Sequence, residues 1–196
     1  LALYGLLLGL CGEKEDEAVF REKILQTTED FRLGIDGVMS GYLMLAKDDG
    51  LKLLDDSKFK NTEAVFSETY AAMQALRFMW TYGDERISKE RLRQSMRLLL
   101  DRSDMSDLVI ADLARWKDWS IQDRLMELYG SEGYEIPAVK RSIVRFMLAS
   151  TKDVPKDKAK TDPLPEHVVK GKKNLDDLRK KDPKTVKQAE RFFFLN

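Results

Sequence analysis

The sequence predicts an all-α protein made of stacked antiparallel helix pairs. Three observations carry that expectation. Apolar residues recur at helical spacing along nearly all of residues 1–150. Strand-like alternation bounded by turns is almost absent. Polar turns recur at Gly12, Lys47-Asp48, Gly83-Asp84, Lys117-Asp118 and Thr151-Lys152, about 34 to 36 residues apart, within the period of helical solenoids.

Each interval holds two helices. Residues 1–11 read as the second half of a pair, and the chain opens on Leu1 rather than Met. A further N-terminal segment of the same protein is therefore expected, with the repeat truncated at its N-terminus. Residues 16–27 place Val19, Phe20, Ile24 and Leu25 on one face. Residues 30–47 carry Phe31, Ile35, Val38, Met39, Tyr42 and Leu43. They also carry Gly34, Gly37 and Gly41, each costing about 1 kcal/mol in a helix relative to alanine. Three glycines on one face predict a neighbouring helix in close approach.

A weak helix at 50–56 precedes a strong one at 64–82 that is apolar nearly all round. Ser88 is placed to cap 89–101. Ser103 or Asp104 opens 105–116, Ser120 with Asp123 makes a capping box for 121–130, and Pro137 suits the first turn of 137–150. Phe78, Met79, Leu99, Ile110, Leu113, Ile143 and Phe146 are the expected core. Residues 1–151 thus form the repeat, and 152–173 read as a charged linker. Residues 174–196 form a short helical tail, with helices near 174–181 and 184–195, the latter started by Asp182-Pro183. The cluster Phe192, Phe193, Phe194 and Leu195 has no core of its own and is expected to dock back onto the repeat.

Composition bounds the function. At 196 residues the chain supports one domain with a sizeable core, with or without a tail. Lys plus Arg and Asp plus Glu balance at 34 each, against the strong positive field of a nonspecific nucleic-acid binder. The basic tail segments Lys170 to Lys173 and Arg179 to Lys181 are interleaved with Asp176, Asp177 and Asp182. No nucleic-acid partner is expected. The apolar run Leu1 to Leu10 is too short to span a membrane, and no membrane partner is expected either. The lone Cys11 reads as a small buried hydrophobe and the lone His167 as a surface residue. With one Cys and one His, no metal site is expected. No Gly-rich phosphate loop, paired-Cys motif or nucleophile elbow appears, and no cofactor is expected.

The stretch Trp116 to Tyr129 resembles the end of one HEAT-like repeat and the first helix of the next. Pro137 to Leu148 resembles the second helix of such a repeat, with Val139-Lys140-Arg141-Ser142-Ile143 near its start and a Leu-rich end. The resemblance covers roughly 1–150, is clearest over 88–150, and departs from the pattern at 50–63. It implies a noncatalytic binding scaffold and transfers no residue role. The candidate partner-contacting residues are Trp116 and Trp119 in the inter-repeat turn, with Lys140, Arg141 and Arg145 on a second helix facing an acidic protein partner. The alternative is an enzyme of closed α/α form, with carboxylates such as Asp112, Asp118 and Asp123 and arginines lining its cavity.

Overall fold

The computed structural model describes residues 1–26, 31–155 and 163–193. Among them there are ten α-helices and no strand. The chain divides into two compact units, 1–102 and 103–196.

The first unit contains α1 (Ala2–Cys11), α2 (Glu17–Leu25), α3 (Ile35–Leu54), α4 (Phe66–Tyr82) and α5 (Lys89–Leu98). Local chemistry sets several boundaries. Glu13 and Asp16 form a reciprocal capping box ahead of α2. The Ser88 hydroxyl accepts from the Arg91 N–H at 3.1 Å and caps α5 as expected. The turn expected at Lys47 is instead a kink: Lys47 has φ 51° and ψ −125° inside α3, which then runs on into a π-helical turn, Asp55–Phe59. The lost helix end and the π-turn together account for the weak pattern at 50–63. Asp84 and Lys117, in two of the other expected turns, also have positive φ, at 48° and 55°.

The close approach predicted from the glycines is present. Gly37 and Gly41 of α3 face Gly5 and Gly9 of α1. A Cβ on Gly5 would lie 2.7 Å from the Val38 Cα, and one on Gly41 would collide with the Gly5 carbonyl. Ala2 lies against Gly37 and Gly9 against Gly41, so α1 and α3 run parallel. Gly34 serves differently: at φ 84° it starts α3 in the left-handed conformation.

Glycine contact fixes which side of α1 is buried. Cys11 lies six residues beyond Gly5, roughly 240° round the helix, and is exposed rather than buried as expected. On α2 only Phe20 and Ile24 are buried, while Val19 and Leu25 are exposed.

Behind α2 lies a buried charge cluster. Glu68 of α4 accepts from Arg32 Nε and from Lys58 Nζ, both at 2.9 Å, and Arg32 Nη2 closes a bidentate pair. The same guanidinium donates to the Lys23 and Ile24 carbonyls at the end of α2. All three side chains are about nine-tenths buried. Burial alone would raise the Glu68 carboxyl. The hydrogen bonds and charges of Arg32 and Lys58 outweigh it and hold the pKa below its ordinary value.

The second unit contains α6 (Ser106–Arg115), α7 (Gln122–Leu128), α8 (Pro137–Lys152), α9 (Glu166–Lys181) and α10 (Pro183–Phe193). Pro137 sits in the first turn of α8, and Asp182 caps α10 through the Thr185 N–H at 3.1 Å, both as expected. The Ser120 capping box does not form, because Ser120 donates to Asp118 at 2.7 Å. Helix α9 begins at Glu166, inside the stretch read as linker. Its buried residues Val168, Gly171, Leu175 and Leu178 repeat at three- and four-residue spacing beneath a lysine-rich surface. The linker core 156–162 and the tail residues Phe194 and Leu195 lie outside the described residues, as does the Phe192 side chain.

Helices α9 and α10 both pack on α8. Lys140 pairs with Asp182 at 3.6 Å, and Lys152 lies 4.3 Å from the Phe193 ring centroid, so α10 runs parallel to α8. Met79, Leu99, Ile110, Leu113, Ile143 and Phe146 are buried in their units as expected. Phe78 is only partly buried, because it turns outward against Tyr82 with ring centroids 5.5 Å apart.

Candidate functional site

Four of the five residues singled out in the sequence gather along α8 or in the turn before α7, and three of the five are occupied internally. Trp116 is buried. Trp119 meets Phe146 edge-on at 5.2 Å and stacks on His167 at 5.8 Å with an interplanar angle of 15°. Its indole N–H donates to Asp153 Oδ2 at 2.7 Å. Lys140 reaches Asp182 and lies 5.5 Å from the centre of the Tyr129 ring.

Asp153, just past α8, is the hub of the Trp119 box. Lys117 donates to its other oxygen at 2.5 Å, and His167 Nε2 lies 3.0 Å from its carbonyl. Burial would raise the Asp153 pKa, but the Lys117 and Trp119 hydrogen bonds and nearby positive charge hold it lowered. Gln122 donates to the His167 carbonyl at 2.9 Å and accepts from Asn174 at 3.2 Å. The box therefore staples the start of α9 to the end of α8. Sequence reasoning missed it because Asp153 and His167 sit in a polar stretch with no periodic signal.

A second box closes the other end. The Tyr129 hydroxyl donates to Asp182 at 3.1 Å, and Lys181 donates to the Tyr129 carbonyl at 3.2 Å. Burial first, and the Asp182 charge second, push the Tyr129 phenol up to about 12. Stability from this phenol is present below the ordinary value of about 10 and is lost as pH rises through about 12. Ultraviolet titration of the wild type should show a tyrosine ionisation near pH 12. Tyr129→Phe should remove that step. Identical titration curves near pH 12 for the wild type and Tyr129→Phe would contradict the Tyr129–Asp182 contact.

The carboxylates of the enzymatic alternative are dispersed. Asp112 pairs with Arg115 at 2.9 Å, Asp118 accepts from Ser120, and Asp123 pairs with Lys170 at 2.5 Å. Among the described residues no three of His, Cys, Asp and Glu converge as metal ligands, and no helix is long and apolar enough to cross a membrane.

Arg141 and Arg145 stand apart. They lie one helical turn apart on α8, Arg145 exposed and Arg141 partly so. Neither makes a hydrogen bond or ion pair among the described residues. The α8 sequence holds four cations and no carboxylate, so no neighbour on the helix neutralises them.

Comparison with protein-family models, curated proteins and solved structures returned no significant match.

Proposed function

We propose that the chain is a noncatalytic helical-repeat module of HEAT-like kind that binds an acidic protein partner through α8. The carrying observation is the pair of guanidiniums at Arg141 and Arg145, without an ion-pair partner among the described residues, on a helix without a carboxylate. A protein segment with carboxylates at matching spacing satisfies both with charge-assisted hydrogen bonds.

The repeat reading draws support from the helices' partners. In each unit a helix packs parallel to the next but one, α1 on α3 and α8 on α10. That is the relation expected of equivalent helices in stacked pairs. The positive-φ residues Lys47, Asp84 and Lys117 recur near the period read from the turns.

The test is Arg141→Glu with Arg145→Glu. Both side chains lie outside the core, so stability should change by no more than about 0.5 kcal/mol per site. Affinity capture from nuclease-treated extract should retain a protein on the wild type that the double variant loses. Its binding should weaken with salt and fall roughly tenfold or more in the variant. An unchanged set of captured proteins refutes the assignment of α8 as the binding face.

A further inference from the structure

We infer that the first unit pairs with a second copy of this chain through the outward face of α1. That helix has ten residues and no charge. Its inner side is taken up by Gly5 and Gly9 against α3, which leaves the large side chains pointing away. Leu3 is 65% exposed, Tyr4 76%, Leu7 49% and Leu10 57%. Their spacing is that of a helix–helix seam: positions 3, 7 and 10 alternate by four and three, with Tyr4 and Cys11 seven apart alongside. Backbone contact with α3 holds this ridge rigid, so pairing orders little that is not already ordered.

Two features favour a second copy as the occupant. A two-fold contact needs a ridge and a groove on one patch. Beside the α1 ridge lies a groove of about 390 Å³ lined by Leu1, Tyr4, Leu8, Val19 and Phe20. Its rim carries Glu22 and Lys23, one of each sign and neither in an ion pair among the described residues, so a two-fold axis can oppose them. The exposed apolar side chains of α1, with Val19, offer on the order of 500 Å² per copy, against about 800 Å² in a standard stable interface. The pairing is accordingly reversible, with micromolar rather than nanomolar affinity.

Sedimentation equilibrium on the 196-residue chain in reducing buffer tests it. The wild type should show a concentration-dependent monomer–dimer equilibrium across roughly 1–100 μM. Leu7→Lys should be monomeric over that range with unchanged helicity. Tyr4→Ser, a milder change at an exposed position, should weaken pairing at least fivefold and serves if the lysine variant folds poorly. A wild type monomeric at 100 μM overturns the inference: it returns the face to the preceding segment expected from the sequence, or to lipid if the protein co-sediments with phosphatidylcholine vesicles. A dimer undiminished in both variants overturns it too. The α8 charge reversal lies in the other unit and should leave this equilibrium unchanged, so the two readings fail separately.

Discussion

Gly41→Val should destabilise the first unit by more than about 3 kcal/mol. The Cβ would collide with the Gly5 backbone of α1, where no flexible side chain exists to swing aside. Overpacking of this kind costs about 1–3 kcal/mol when neighbours can shift, and more when two backbones must separate. Moving α1 away would also uncover Val38 and Phe20 beneath it. For a unit of about 100 residues the melting temperature should fall by roughly 12–24 °C. Gly50→Ala is the control. Its Cβ would meet the Ala46 Cβ at 3.1 Å and Tyr42 ring atoms beyond, and it gains about 1 kcal/mol of helix propensity. Its stability should stay within about 1 kcal/mol of wild type. Equal thermal stability for Gly41→Val and Gly50→Ala would show that α1 and α3 are not in backbone contact.

Glu68→Gln should cost about 3–5 kcal/mol at neutral pH, since it leaves the Arg32 and Lys58 charges buried against one another. It would also weaken the grip of Arg32 on the Lys23 and Ile24 carbonyls. Lys58→Met, which leaves the Arg32–Glu68 pair intact, should cost less. The pH dependence supplies an independent sign. The Glu68 pKa is depressed in the folded state. Its contribution is therefore fully present above the ordinary value of about 4.3 and is lost as pH falls through the lower folded value. Urea unfolding followed by the fluorescence of Trp80, the one tryptophan of this unit, should show wild-type stability declining between about pH 5 and pH 2. The Glu68→Gln variant should start lower and decline less. Parallel curves for the two proteins would mean that Glu68 is not ionised in the folded protein.

Helix existence was legible in the sequence wherever apolar residues supplied the period. The Gly37–Gly41 contact, the Ser88 and Asp182 caps and most of the expected core could be read directly. What could not be read follows from burial by few residues. Helix α9 hides Val168, Leu175 and Leu178 under lysines, so composition disguised it as linker. Cys11 was misplaced because glycine, not leucine, is the buried side of α1. Of the candidate partner residues, Arg141 and Arg145 have no ion-pair partner among the described residues, while Trp119 and Lys140 are occupied by Asp153 and Asp182. Those partners lie 34 and 42 residues away in sequence, beyond the reach of any local pattern.

The parallel packing of α1 on α3 has a kinetic consequence. The α1–α3 contact needs only about thirty residues of intervening chain, and loop-closure entropy grows slowly with such lengths. A topology dominated by near-neighbour contacts favours rapid folding. During synthesis α1 can therefore bury its glycine face as soon as α3 leaves the ribosome, before any residue of the second unit exists. The most apolar helix of the chain is thus half covered early. Its leucine ridge is the surface still open while the remaining helices are being made.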